Sequence, residues 1–116
     1  RGWCYLNSEG YQVTKSWVKD NGKWYYIGAN GYMVSSNWVY DGGNWYYCQS
    51  SGVMVTGWQL VDNSWYYFNA SGVMLISWQF IGGSWYYLGT NGVMVTGWQS
   101  IGGKWYNFAS NGVWLG

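Results

Sequence analysis

Residues 57–74 read GWQLVDNSWYYFNASGVM, which places two Trp, two Tyr, one Phe and one Met within eighteen residues. The Asp-Asn pair at 62–63 stands between two strand-favouring runs. Both of its residues tolerate the positive φ that a type I′ turn requires. A turn there pairs Trp58 with Tyr67 across an antiparallel hairpin. The stretch therefore predicts a β-hairpin with an unusually aromatic surface.

The same pattern recurs along the chain at intervals of 20 or 21 residues, which is the signature of a repeat array. The first Trp of the pattern stands at Trp17, Trp38, Trp58, Trp78 and Trp98, and the second at Trp24, Trp45, Trp65, Trp85 and Trp105. A Met follows at Met33, Met54, Met74 and Met94, and Trp114 takes the last Met position. We predict one array over residues 1–116, with a half repeat at 1–16 and repeats at 17–37, 38–57, 58–77, 78–97 and 98–116.

The hairpins of such an array have to stack, because an isolated hairpin is marginally stable in water. The other repeats carry their own turn pairs, at Asn21-Gly22, Gly42-Gly43, Gly82-Gly83 and Gly102-Gly103. The chain contains no Pro that would interrupt strand pairing. We therefore predict an all-β solenoid of β-hairpins.

The aromatic residues of each hairpin divide into two sets, because side chains alternate between the faces of a strand. In the third repeat Trp58, Trp65 and Tyr67 share one face, and Tyr66 and Phe68 share the other. We expect the Tyr66 face to line the stack and the Trp face to leave aromatic crevices between neighbouring hairpins. Periodicity leaves open the alternative that both sets pack as core, since aromatic stripes belong to a core more often than to a site.

Composition excludes most enzyme classes and most charged partners. The chain has no His and four carboxylates, so we expect no catalytic triad, no zinc or other metal site and no enzyme activity. A net charge of +1 predicts no nucleic-acid binding. The apolar runs are too short for a membrane span. The opening residues do not read as a signal peptide, so we expect a mature or trimmed product.

A cluster of two Trp, one Tyr and one Met without fixed charge suits a desolvated cation, and quaternary ammonium is the recurring case. Three rings at about 0.5–2 kcal/mol each give roughly millimolar to high-micromolar binding per site. Repeated weak sites are effective against a polymer that displays many copies of the ligand. Carbohydrate also stacks on aromatic faces, but it favours polar side chains around the ring edge.

Three stretches resemble the choline-binding, or cell-wall-binding, repeats of Gram-positive bacteria and their phages: GWQLVDNSWYYFNASGVM, SWQFIGGSWYYLGTNGVM and SWVKDNGKWYYIGANGYM. The resemblance covers essentially the whole chain. It implies a left-handed hairpin solenoid with about three hairpins per turn. It also implies a secreted, non-catalytic module at the bacterial cell surface, which anchors a protein noncovalently to phosphocholine on teichoic and lipoteichoic acids. Choline or phosphocholine is then a ligand, and no cofactor is expected.

Sites in this family combine two Trp of one hairpin, a Tyr of the next hairpin and often a Met. Carried over, this implies three cages: Trp17 and Trp24 with Tyr47, Trp38 and Trp45 with Tyr67, and Trp58 and Trp65 with Tyr87, with Met54, Met74 and Met94 as walls. A fourth pair, Trp78 and Trp85, meets Asn107 at the Tyr position, so we expect a weakened site there. The first Tyr of each pair is the alternative; Tyr46, Tyr66, Tyr86 and Tyr106 then close the cages and the fourth site survives.

The two cysteines and the choice of partner leave alternatives open. Cys4 and Cys48 both fall on the Tyr66 face, where they would form either a disulfide in an oxidising setting or two isolated buried thiols. A glucan-binding or toxin-type repeat shares the GW and YY frame, but generally has a polar residue in place of the second Trp and lacks the regular Met. An adhesin surface for a host protein and a choline-induced homodimer are further open roles, and Trp114 would support the dimer.

Overall fold

The computed structural model describes residues 14–116, which form ten short strands and no helix. The strands are β1 (Ser16–Asp20), β2 (Lys23–Ile27), β3 (Asn37–Asp41), β4 (Asn44–Cys48), β5 (Gly57–Val61), β6 (Ser64–Phe68), β7 (Ser77–Ile81), β8 (Ser84–Leu88), β9 (Gly97–Ile101) and β10 (Lys104–Phe108). Each odd-numbered strand pairs with the next strand as an antiparallel hairpin. The chain divides into two compact units, Arg1–Val55 and Thr56–Gly116.

Two-residue turns close the hairpins as the sequence predicts. In the third hairpin, φ is 50° at Asp62 and 69° at Asn63, and the central residues of the other four turns also have positive φ. The register is likewise confirmed, because Trp58 lies opposite Tyr67 and Leu60 lies opposite Trp65. The turn chemistry therefore fixes which side chains share a face.

The core is built from one face of every hairpin. The last residue of each second strand is at most 2% exposed, at Ile27, Cys48, Phe68, Leu88 and Phe108. In the third hairpin Tyr66 lies on the same face as Phe68, since the two are separated by one residue along β6. The prediction that this face is the inner one is confirmed by the burial of Phe68.

Loops tie consecutive hairpins together through the main chain. The Met94 N–H, in the loop after the fourth hairpin, donates to the Trp65 carbonyl of the third hairpin over 2.8 Å. Met54 makes the equivalent bond to Trp24, and Trp114 makes it to Trp85, each at 2.8 Å. These main-chain bonds join neighbouring hairpins in addition to the side-chain contacts between them.

Cys48 is fully buried in this core. Burial raises its pKa to about 11, since the apolar surroundings disfavour the charged thiolate. Cys4 lies outside the described residues, so the Cys4–Cys48 disulfide stays a prediction.

In three of the loops a glycine lies directly against the Met of the preceding repeat. Gly92 has φ of 86°, and a Cβ at this position would overlap the Met74 sulfur. Gly52 stands in the same relation to Met33. The position therefore requires glycine for two reasons: its backbone conformation and the close approach of the methionine.

We expect Gly92→Ala to destabilise the protein more than Gly83→Ala. Both positions have positive φ, but a Cβ at Gly83 would meet nothing within 4 Å. Gly83→Ala should therefore cost about 1–2 kcal/mol for the left-handed backbone alone. Gly92→Ala should cost about 1–3 kcal/mol more because of overpacking against Met74. Urea unfolding followed by Trp fluorescence measures both free energies of unfolding.

The double variant Met74→Ala, Gly92→Ala provides the control. If the steric contact is the cause, the cost of adding Gly92→Ala to the Met74→Ala background should shrink to that of Gly83→Ala. Equal costs for the two single glycine variants would contradict the explanation.

Candidate functional site

The two Trp residues of a hairpin form a corner with nearly perpendicular walls. Trp58 on β5 and Trp65 on β6 have ring centroids 6.5 Å apart and an interplanar angle of 81°. The pair Trp78 and Trp85 repeats this geometry at 6.4 Å and 79°. An edge-to-face arrangement leaves one ring face of each Trp available on the inside of the corner.

A third ring from the next hairpin closes this corner. The Tyr86 ring lies 4.9 Å from the Trp58 ring, at 62°. Trp58, Trp65 and Tyr86, together with Met94, Ser110 and Asn111, line a cavity of about 340 Å³. None of the lining residues carries a charge. Three rings and a thioether therefore surround a small, mostly apolar space with a polar rim.

The tyrosine that lines the cavity is Tyr86, the first of its pair, which is the alternative that the sequence left open; the predicted Tyr87 is not among the lining residues. Tyr87 packs 5.2 Å from Trp78 of its own hairpin. Tyr47 and Tyr67 likewise pack against the first Trp of their own hairpins, with ring centroids 5.1 Å from Trp38 and 5.0 Å from Trp58. Each second Tyr lies directly opposite the first Trp of its own hairpin. The first Tyr is on the other, inner face, and this face is turned towards the preceding hairpin.

The first two hairpins repeat the contact between the first Trp and the first Tyr of the next hairpin, with two charged side chains nearby. The Tyr46 ring lies 4.8 Å from the Trp17 ring. The Trp17 indole N–H donates to the Asp41 carboxylate over 3.2 Å. The Lys19 ammonium nitrogen lies 5.8 Å from the centroid of the Trp24 ring. Burial and, to a smaller extent, the Asp41 charge raise the pKa of Tyr26.

The last two hairpins form a variant in which a larger ring stands at the Met position. Tyr106 lies 5.0 Å from Trp78, so the first Tyr is present, and Asn107 lies opposite Trp98 of its own hairpin. The contact with Tyr106 supports the alternative in which the first Tyr closes the fourth corner, and the effect of Asn107 stays a prediction. Trp114 packs 6.0 Å from Trp78, and its buried indole nitrogen has no hydrogen-bond partner. This indole occupies space that a methionine leaves open elsewhere.

The second predicted cage stays a prediction. Trp38 and Trp45 form the same corner, at 6.3 Å and 87°. Their predicted third wall, Tyr67, belongs to the other compact unit, and so does Met74. Trp98 and Trp105 of the fifth hairpin are 64% and 68% exposed.

The sequence left the choice between Tyr86 and Tyr87 open, and it gave no signal for Ser110 and Asn111. Strand alternation assigned Tyr86 to the inner face, but it did not indicate that this face contacts the Trp corner of the preceding hairpin. Asp41 had a signal in the sequence, since the last residue of the first strand is Asp in two repeats and aliphatic in three.

Among residues 14–116, no three His, Cys, Asp or Glu side chains are grouped as metal ligands. That part of the chain also contains no helix long and apolar enough to cross a bilayer.

Comparison with known proteins identifies the family. The choline-binding repeat model matches residues 37–77 and 75–113, and a model described as a cell wall binding repeat matches residues 15–33. No curated protein sequence is similar enough to count as a match. The chain belongs to the choline-binding repeat family, whose members are binding modules.

Solved structures agree with this assignment. Choline binding protein F of Streptococcus pneumoniae is 46% identical with a TM-score of 0.88, over 97% of this chain and 38% of its own. CbpJ of the same species is 37% identical with a TM-score of 0.90, over 97% and 41%. The pneumococcal cell wall endolysin of phage Cp-1, solved with choline, is 34% identical with a TM-score of 0.63, over 98% and 37%. These matches confirm an all-β, solenoid-like hairpin repeat, and the chain spans well under half of each relative.

We expect Tyr86→Ala to weaken binding of tetramethylammonium at the Trp58 corner by about five- to thirty-fold, because one cation–π wall is lost. Tyr87→Ala should leave the affinity of this corner within about two-fold, although it removes a ring contact with Trp78. Titration followed by the indole N–H resonance of Trp58 reads this corner separately from the others.

The Trp58 resonance is identified by its loss in Trp58→Phe. Near-UV circular dichroism establishes that both tyrosine variants keep their aromatic packing. A larger loss for Tyr87→Ala than for Tyr86→Ala would restore the second Tyr as the closing residue.

Proposed function

We propose that the chain is a non-catalytic module that recognises choline, as free choline or phosphocholine, in aromatic cages between consecutive hairpins. The single observation that carries the proposal is the uncharged corner of Trp58 and Trp65 closed by Tyr86 and Met94. The same plan recurs at Trp17 with Tyr46 and at Trp78 with Tyr106.

The chemistry of the lining favours a methylated ammonium. Ring faces are negative and attract a cation, while the apolar walls do not satisfy N–H donors, so a quaternary group loses least on entering. Met94 adds a polarisable wall suited to methyl groups. The proposal is supported by family membership and by the relative from phage Cp-1, which has been solved with choline.

Several weak cages on one chain suit a ligand displayed in many copies. Each cage supplies roughly millimolar to high-micromolar affinity, and simultaneous occupation multiplies it. We infer that the partner is phosphocholine-bearing teichoic or lipoteichoic acid, and that the chain is secreted and holds a larger protein noncovalently at the bacterial cell wall. A choline-induced homodimer and a host-protein target belong to the same proposal as additional partners.

A carbohydrate module is the second candidate, because Ser110 and Asn111 give the cavity polar atoms at its rim. However, the Asn111 side-chain oxygen already accepts from the Val113 N–H over 3.1 Å. A sugar ring would then find few free acceptors. The observation favours the cation over the sugar.

We expect the protein to bind a quaternary-amine resin and to elute with free choline, because choline competes for the cages. Dextran at matched concentration should not elute it. Retention that choline cannot reverse would contradict choline recognition, and elution by dextran would support the carbohydrate alternative.

Trp65→Ala should weaken retention on the resin with little loss of stability. Trp65 is 42% exposed, so it forms a wall of the cavity more than it fills the core. Tyr32→Ala serves as the matched control. It also removes an exposed aromatic residue, 49% exposed, but one that does not line the cavity. Retention and urea stability are measured on both. Unfolding by Trp65→Ala at ambient temperature would assign Trp65 a structural role instead.

A further inference from the structure

We propose that the cage between the first two hairpins is electrostatically polarised and prefers phosphocholine to choline, with Asp41 acting on the ammonium and Lys19 on the phosphate. The inference rests on the proposed function, because it assumes that a choline group enters this cage. It distinguishes this cage from the uncharged one at Trp58, which should bind the two ligands alike.

Asp41 supplies the negative end. Its carboxylate accepts the Trp17 indole N–H over 3.2 Å, so the charge is held at the edge of a cage ring. The side chain is only half-exposed, which limits screening by water. The fourth hairpin closes the Trp58 cage, and its residue at the position of Asp41 is the uncharged Ile81. A cation on the Trp17 ring therefore experiences an attraction that the Trp58 cage lacks.

Lys19 supplies the positive end, on the outer flank of the second Trp. It lies opposite Trp24 in the hairpin register, and its ammonium nitrogen is 5.8 Å from the Trp24 ring centroid. The equivalent Phe80 packs 5.1 Å from Trp85. The equivalent Leu60, beside Trp65, does not line the cavity at that corner. Residues at this position thus flank the second Trp from outside the cage.

The substituent of a bound ammonium has to leave the cage towards solvent. Trp24 is 40% exposed, whereas Trp17 is half-buried between Tyr26 and Tyr46, so the open side lies at Trp24. A phosphate attached to the choline would then emerge beside Lys19. The nearby Asp20 and Lys23 are exposed and face each other across the hairpin, so their opposite charges largely cancel.

The whole chain, labelled with ¹⁵N, is titrated with choline and separately with phosphocholine at low and at high salt. The indole N–H resonances of Trp17 and Trp58 report the two cages, identified from Trp17→Phe and Trp58→Phe. At low salt we expect phosphocholine to bind about three- to five-fold more tightly than choline at the Trp17 cage, the range of an exposed ion pair. The ratio at Trp58 should be near one, and at high salt both ratios should be near one.

Exchanging residues between the hairpins tests each charge. Lys19→Leu should remove the preference at Trp17, and the reciprocal Leu60→Lys should create one at Trp58. Asp41→Ile should weaken both ligands at Trp17, and Ile81→Asp should strengthen both at Trp58. Lys19 and Leu60 are exposed, so their exchange leaves the core unaltered.

The outcomes separate this inference from the function on which it rests. If neither resonance responds to choline or phosphocholine, choline recognition itself is wrong. If both respond but the two cages show the same ratio, the polarised cage is wrong while the function stands. A gain in choline affinity on Lys19→Leu without any change in the ratio would also overturn it, since Lys19 would then merely compete for the Trp24 ring.

Discussion

Contact between the Trp of one hairpin and the first Tyr of the next is the interaction on which the rest of this structure depends. An isolated two-stranded hairpin cannot bury enough apolar surface to be stable. The rings of Trp58 and Tyr86, 4.9 Å apart, join two hairpins and at the same time form two walls of a cavity. The side chains that stack the hairpins are therefore the same ones that line the candidate site.

Local chemistry explains how much of this could be predicted. Turn pairs such as Asp62-Asn63 determined the hairpins, and the turns determined the register down to Trp58 opposite Tyr67. The position of Phe68 in the core followed from alternation. Tyr86 could not be assigned in this way, because its place depends on how two hairpins dock. That docking combines ring contacts between hairpins with main-chain bonds such as Met94 to Trp65, and the pattern within one repeat encodes neither directly.

The repeats share a backbone but differ in chemistry. Because the loop bonds are made by the main chain, residues beside the Trp corner can vary without disturbing the stack. The corner is flanked by Lys19 in one repeat, Leu60 in another and Phe80 in a third. At the fourth corner Trp114 replaces the methionine. One scaffold thus carries cages with different charge and different free volume.

The division of each cage between two repeats limits how such a chain can change in length. A hairpin contributes Trp walls to one cage and a Tyr and a Met to its neighbour, so an array of n hairpins closes at most n − 1 cages. Duplication of a whole repeat adds one complete cage, wherever the boundaries of the duplicated segment fall. If the proposed function holds, the number of binding sites would therefore change in integer steps as whole repeats are gained or lost.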